Sequence, residues 1–298
     1  MSTIKVNDKL NYSKDSLVFS AESKRQNKPY ARTKIIAGTD AYVDERGFTR
    51  FGSKIFEEEN MIVLGGALFT LEKVFNVKSP ITVSYLNDIM GIATGGPTIT
   101  EHYPKDMGVC LFGVGIGGAG ESFTDVKDVR YYEREIIDMV PLRQTANELL
   151  DTEKNKYWFK KKVEVDGIEK TAYYLKTFET EPEIKILYKD AEGDEDGSEV
   201  PEDVYNSPES NTTPTETFIE IVFKITKKDV REYFEDNGNI EQTRVNSIGL
   251  FTGVKAVIDD VSGEEDYKNV RLFSKLNINN EMLTVSKDIT VVYRIYAS

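Results

Sequence analysis

Hydrophobic and polar residues alternate over much of the chain, in short runs bounded by Gly, Asn, Asp or Pro. Alternation with a period of two is typical of β-strands that bury one face. In the last run, the apolar residues on one side of the extended chain are Ile289, Val291, Tyr293 and Ile295. We therefore predict a half-buried C-terminal strand whose opposite face, which carries Thr290, is solvated.

A second pattern of this kind contains a turn. Two strand-like runs are joined by Asp166-Gly167, and Gly accepts, while Asp tolerates, the positive φ angles of a two-residue type I′ turn. We predict a tight antiparallel hairpin formed by residues 157–165 and 169–178. Further strands are predicted at 33–37, 109–114, 184–188, 218–225, 244–257 and 270–276.

A few short helices interrupt this β-pattern. Residues 65–75 carry Leu68, Leu71 and Phe75 at i, i+3 and i+7, which predicts a helix with these residues on its apolar face. Capping residues predict two more helices, one over 84–91 between Ser84 and Gly91, and one that starts from a capping box at Thr226–Asp229 and ends near Gly238.

Two segments lack any sustained period. Residues 1–32 are polar and rich in Lys, Ser and Asn, which predicts an N-terminal arm. Residues 190–214 are acidic and rich in Ser, Thr, Asn, Gly and Pro, which predicts a long exposed loop. We expect the remainder, 33–298, to be a single β-rich domain. Its predicted class is a β-dominated α+β fold, with antiparallel sheets in a sandwich or barrel-like arrangement.

The chain is acidic, with 51 Asp and Glu against 38 Lys and Arg and a formal net charge of −13. Such a surface repels the phosphate backbone of nucleic acids, so DNA contact is expected only inside the lumen of a ring. The N-terminus has no apolar signal core, and no run reaches about 18 apolar residues. We therefore expect synthesis in the cytoplasm and no membrane contact.

One cysteine, Cys110, and one histidine, His102, restrict the chemistry of the chain. They exclude an intramolecular disulfide, and they cannot supply a zinc site of N and S ligands. Cys110 lies in an apolar strand and is predicted to be a buried, inert thiol. His102 lies in a polar stretch and is predicted to be a surface or interface residue. We name no catalytic residue and expect no enzyme activity.

A glycine-rich stretch, Gly113–Gly120, fits the spacing of a dinucleotide-binding fingerprint and follows an apolar strand. This stretch is the only sequence feature that would support a nucleotide-dependent enzyme. A phosphate-binding turn must open into an amphipathic helix, but residues 121–128 have no apolar helical stripe and add negative charge. We therefore predict that the glycines permit close backbone packing at an interface and bind neither phosphate nor a cofactor.

The acidic loop holds one candidate metal site. Its spacing approaches that of a calcium-binding loop, in which oxygen ligands alternate and a final carboxylate closes the site. It departs from the motif at the first and last ligands, and Pro201 lies inside it. We favour a solvated acidic loop. The candidate calcium ligands are Glu192, Asp194, Asp196 and Asp203.

The segment Tyr157–Lys162 mixes aromatic and basic residues, as surfaces that bind single-stranded nucleic acids do. We favour a different interpretation, in which Trp158 faces the core and the lysines protect the edge of a sheet from unwanted strand pairing.

The C-terminal third carries a resemblance to a known class of proteins. Its order of segments resembles that of virion structural proteins of tailed bacteriophages, including neck and tail-associated proteins. The segments are RVNSIGLFTG at 244–253, VRLFSKLNINN at 270–280 and ITVVYRIY at 289–296.

This resemblance implies a non-catalytic component of the virion. Within that class we expect a ring-forming neck protein at the head-to-tail connection. Its partners would be copies of itself and virion proteins such as portal, adaptor or tail proteins. The alternative is a baseplate or tail-fibre attachment protein. The alternative from another class is a nucleotide-dependent enzyme, which the glycine-rich stretch Gly113–Gly120 would support.

Overall fold

A computed structural model describes residues 33–45, 47–92, 95, 106–120, 125–189, 213–279 and 287–297. Its strands are β1 Thr33–Val43, β2 Thr49–Glu59, β3 Met61–Ile62, β4 Gly108–Gly115, β5 Met139–Val140, β6 Arg143–Thr145, β7 Tyr157–Val165, β8 Ile168–Thr177, β9 Glu183–Lys189, β10 Thr213–Ile225, β11 Ser247–Asp259, β12 Glu264–Asn277 and β13 Ile289–Ala297. The helices are α1 Leu64–Phe75, α2 Leu86–Met90, α3 Asp151–Lys154 and α4 Arg231–Asp236, with a 3-10 turn at Ile240–Gln242. The predicted β-dominated α+β class is confirmed.

The strands form two antiparallel sheets. Five strands follow the order β2-β1-β13-β10-β9, and the second sheet follows β3-β12-β11-β4-β8-β6, with β5 on β4 and β7 on β8. The two sheets share one apolar core, in which the rings of Phe112 and Phe223 stack with centroids 4.3 Å apart. Because these residues lie on β4 and β10, the core is the interior of a sandwich.

The C-terminal strand β13 is central in the five-stranded sheet, between β1 and β10. Val291 and Tyr293 are fully buried in the core, as predicted, and β12 lies opposite them in the other sheet. The prediction of a solvated second face is wrong, because Thr290 is only 7 % exposed. That outer face is partly covered, since Phe48, from the turn between β1 and β2, packs against Phe218 of β10.

The predicted hairpin at Asp166-Gly167 is confirmed. Val165 and Ile168 are the last pair of the β7–β8 ladder, so the turn has two residues. Asp166 has φ +50° and Gly167 has φ +77°, the positive values that a type I′ turn requires.

Helix α1 lies where it was predicted and begins one residue earlier, at Leu64, but its apolar stripe does not face the core. Leu71 and Phe75 are exposed, and the buried positions include Phe69. The reason is a close approach of two backbones, because a Cβ on Gly65 or Gly66 would overlap the carbonyl oxygens of β12. The glycine side of α1 therefore lies against the sheet.

The predicted caps have mixed outcomes. Gly91 ends α2 in the left-handed region, as predicted, but the N-cap position is Tyr85 and Ser84 does not cap the helix. The third predicted helix begins only at Arg231. Asp229 does accept the backbone N–H of Thr226, at 2.7 Å, but its side chain is buried in the core. The capping-box prediction therefore misplaced the start of α4.

The predicted N-terminal arm, 1–32, lies outside the described residues, as does most of the predicted loop at 190–214. Among the helices that the structure describes, none is long and apolar enough to cross a membrane.

Candidate functional site

The residues of the predicted calcium site, together with His102, lie outside the described ranges, so these remain predictions. Within the described ranges, no group of three or more His, Cys, Asp or Glu side chains is placed to hold a metal ion. The undescribed candidate calcium ligands are Glu192, Asp194, Asp196 and Asp203.

The glycine-rich stretch, which comprises the end of β4 and the turn after it, packs against the start of β11. The Gly118 N–H donates to Asn246 Oδ1 at 2.7 Å, and Asn246 Nδ2 donates back to the Ile116 carbonyl at 2.8 Å. A Cβ on Gly118 would overlap the Asn246 carbonyl oxygen. The expected close backbone packing is therefore present, and it lies within one chain.

The same stretch has few backbone groups left for a ligand. The N–H groups of Ile116, Gly117 and Gly120 all donate to carbonyl oxygens of the chain. Beyond the turn, Val126 forms an antiparallel bridge with Ala119 where a phosphate-binding turn would continue as a helix. This geometry favours a packing role for the glycines.

The aromatic and basic segment lies on β7, which pairs only with β8 among the described strands. Trp158 is buried, and the ammonium groups of Lys160 and Lys255 lie 6.0 and 4.8 Å from its ring centroid. Lys160 pairs with Glu264 at 2.8 Å, and Lys162 is exposed at the edge. The predicted burial of Trp158 is confirmed, and the protective role of the lysines at the sheet edge stays a prediction.

Cys110 lies on β4 and is half-buried, with Sγ 3.8 Å from the Gly253 carbonyl oxygen. Burial raises the pKa of the thiol to about 12. At neutral pH the reactive thiolate is therefore scarce, as expected for an inert cysteine.

A cleft of about 480 Å³ lies on the outer face of the five-stranded sheet, beside Thr290. Its buried carboxylate, Glu220, is already engaged inside the protein. It accepts from the backbone and hydroxyl of Thr49 at 3.3 and 3.0 Å, and it pairs with Arg294 at 2.9 Å. The negative charge of Glu220 is therefore balanced by Arg294 inside the protein, as is typical of a structural ion pair.

The most unusual buried group is an ion pair in the core. Lys176 Nζ lies 3.0 Å from Asp229 Oδ2, and the two side chains are 2 % and 0 % exposed. The ammonium also donates to the Lys224 carbonyl at 2.8 Å, and the Tyr157 hydroxyl donates to Asp229 Oδ1 at 2.7 Å. The rings of Tyr157 and Phe112 lie 5.2 and 5.9 Å from the ammonium.

A second set of charges lies next to this pair. Arg143 on β6 contacts Glu153 and Glu232, each at 3.0 Å, and its guanidinium lies over the Tyr157 ring. Burial alone would lower the pKa of Arg143, but the hydrogen bonds and charges of Glu232 and Glu153 raise it. Because Glu232 lies on α4, these bonds hold α4 on the second sheet.

Sequence reasoning missed the Lys176–Asp229 pair because its members lie 53 residues apart. A local signal did exist. Lys176 is a charged residue next to Leu175, near the end of an apolar run. The other buried residues of β8 are apolar. Asp229 was instead assigned to a helix cap.

An exposed apolar surface extends along α1 and the segment after it. Leu71, Val74 and Phe75 share one helix face by the i, i+3, i+4 spacing, and Val77 and Ile81 follow along the chain. Their exposed fractions lie between 41 % and 68 %. We call these five residues the α1 ridge. Clusters of exposed apolar side chains often mark protein–protein contacts.

Comparisons with known proteins give no relative. No protein-family model matches the chain, and neither a curated protein nor a solved structure matches it.

Proposed function

We propose that this chain is a non-catalytic structural protein of a tailed-bacteriophage virion, and that it assembles into a ring at the neck, between head and tail. The C-terminal segments that resemble such proteins form β11, β12 and β13, which are central strands of the two sheets. In this proposal they build the subunit's scaffold, and other surfaces make the assembly contacts.

The α1 ridge is the observation that carries the proposal. Five large apolar side chains that are between 41 % and 68 % exposed would each gain roughly 1 kcal/mol on burial, so one ridge would gain about 5 kcal/mol. Part of this gain is offset by the entropy cost of association. Each subunit of a closed ring has two neighbours, so such a contact is formed once per subunit around the ring.

The sheet edges favour assembly through side chains over open-ended strand pairing. Strand β2 is one edge of the five-stranded sheet and ends in three glutamates, Glu57 to Glu59. The ladder between β12 and β3 is short, and α1 and α2 pack against β12. Charged or covered edges disfavour uncontrolled edge-to-edge growth, which suits a protein that must form a closed ring.

A catalytic role is not part of the proposal. Backbone N–H groups of the glycine-rich turn donate to carbonyl oxygens of the same chain. Glu220, the buried carboxylate of the cleft, pairs with Arg294. The buried cluster of Lys176, Asp229 and Tyr157 is closed to substrates by its burial.

The test is to locate the chain in particles. Tailed particles from the source culture would be purified, their peptides quantified by mass spectrometry, and the particles labelled with an antibody against residues 33–298. We expect a fixed copy number per particle and label at the head–tail junction. Label at the distal end of the tail would overturn the neck assignment and favour the baseplate or tail-fibre alternative. Absence from the particles would overturn the virion assignment as well.

A further inference from the structure

The Lys176–Asp229 pair has the geometry of reactants as well as that of an ion pair. Lys176 Nζ lies 3.0 Å from Asp229 Oδ2, which is bonded to the carbon that would react, and both side chains are buried. Groups that are held next to each other in a fixed orientation gain a large effective concentration. We propose that Lys176 and Asp229 join in an intramolecular isopeptide bond between Lys176 Nζ and Asp229 Cγ.

Both reactants are fixed by other contacts. Lys176 is near the end of β8, where its neighbour Thr177 still belongs to the strand, and its ammonium donates to the Lys224 carbonyl. Asp229 lies in the turn after β10, and its Oδ2 accepts the Thr226 N–H at 2.7 Å. The next residue, Val230, is fully buried with φ +58°, a conformation that a β-branched residue rarely adopts. The turn is therefore held in one strained shape that presents Asp229 to Lys176.

Tyr157 is placed to assist the reaction. Its hydroxyl donates to Asp229 Oδ1 at 2.7 Å, so it polarises the carbonyl that is attacked and stabilises the negative charge that forms on this oxygen. Burial raises the pKa of the Tyr157 hydroxyl, and the neighbouring Asp229 charge raises it further, so Tyr157 stays protonated and can donate.

The reaction balances without an added reagent. One proton moves from the Lys176 ammonium to Asp229 Oδ2, and the neutral Nζ adds to Cγ. The Nζ then gives up a second proton as the Cγ–Oδ2 bond breaks, so that Oδ2 leaves as one water molecule. The bond that forms is Nζ–Cγ, and no atom is oxidised or reduced. The remaining N–H of the amide still faces the Lys224 carbonyl.

The buried environment favours the amide product over the Lys176–Asp229 ion pair. Two buried charges carry a large desolvation cost, which their mutual attraction offsets only in part. A neutral amide with its N–H and C=O hydrogen-bonded in place removes that cost. The released water goes to bulk solvent. The cross-link would close the chain between β8 and the turn after β10, and so tie β8 of one sheet to the end of β10 in the other.

The test is the mass of the full-length purified chain, followed by a tryptic map. We expect a mass lower than the sequence mass by one water. The map should contain a branched peptide in which residues 171–185 are joined to residues 229–231, because the modified Lys176 resists trypsin. The map is needed because Asp166-Gly167 can also lose water by forming a succinimide, and that product is linear.

Two variants make the result specific. Lys176→Arg keeps the charge but cannot form the amide, so it should have the sequence mass, and it should melt at a lower temperature than the cross-linked chain. Asp229→Asn can form the same amide but must release ammonia, so the lost mass should change from water to ammonia. Tyr157→Phe should slow bond formation about 100-fold, which fits the loss of one well-placed acid. A full-length wild-type chain with the unmodified mass and only linear peptides would overturn the proposal and leave an ordinary ion pair.

Discussion

The central strand β13 allows a sharp test of the fold, because adjacent residues face different surroundings. Val291 is fully buried and points into the sandwich core, where it pairs in register with Ala37 and Phe223. Thr290 points to the outer face and pairs in register with Lys224. Replacing each in turn by Asp places the same carboxyl group in the two environments.

The expected cost of Val291→Asp follows from two losses. Removing the valine side chain from the core gives up about 1.5–3 kcal/mol of burial. Burying a carboxyl without a hydrogen-bond partner, even when protonated, adds roughly 2 kcal/mol or more. The sum, about 3.5–5 kcal/mol or more, is close to the whole stability of many domains. Thr290→Asp should cost less, about 1–3 kcal/mol, because Thr290 is also buried but lines the cleft and pairs in register with Lys224.

Urea unfolding followed by the fluorescence of Trp158, the single tryptophan, measures both variants. A buried Asp has a raised pKa, so the deficit of Val291→Asp should shrink as the pH falls through that pKa towards the ordinary Asp value of about 3.9, and Thr290→Asp, next to Lys224, should recover less. Equal losses in the two variants, or a larger loss for Thr290→Asp, would refute the assignment of the two faces.

Three further predictions concern separate parts of the chain. Hydrogen bonds from Lys34 and Lys54 lower the pKa of Glu57 from 4.5 to about 2, so this carboxylate stabilises the fold above pH 4.5 and loses that effect as the pH falls towards 2. Glu57→Gln should therefore cost under about 1 kcal/mol at pH 7, since the pair is partly exposed, and should flatten the stability profile between pH 4.5 and 2 in urea titrations. Gly118→Ala should destabilise by about 2 kcal/mol or more because its Cβ would overlap the backbone, whereas Gly108→Ala, with open space around its Cβ, should change the melting temperature little. Cys110 should react with a thiol reagent far more slowly in the native chain than in denaturant, and a native rate equal to the denatured rate would contradict its assignment as an inert thiol.

The elements with local signals could be predicted from the sequence. The hairpin at Asp166-Gly167 needs two positive φ angles, and its dipeptide meets that need within two residues. Alternation likewise located β7, β8 and the buried face of β13. Strand β2 was not predicted, because its charged end, Glu57 to Glu59, masks the alternation in an edge strand.

The features that depend on contacts distant in sequence could not be predicted. Periodicity found an apolar stripe on α1, but only the three-dimensional structure places the glycine side, and not Leu71 and Phe75, against β12. Asp229 fitted a capping box locally, yet its position is set by Lys176 from another strand. The α1 ridge and the buried pair, which carry the two proposals, are therefore both products of tertiary packing.

The central claim is that the chain assembles through the α1 ridge, and the mass of the purified full-length chain in solution, by native mass spectrometry, tests it most directly. We expect one closed oligomer of fixed copy number, which the double variant Val74→Asp/Phe75→Asp reduces to monomers without lowering the melting temperature of the subunit. Val261→Asp, at a position that is 97 % exposed on the β11–β12 turn, is the matched control and should leave the oligomer intact. A wild-type chain that stays monomeric at all concentrations, or an oligomer that the ridge variant does not disturb, would contradict the claim.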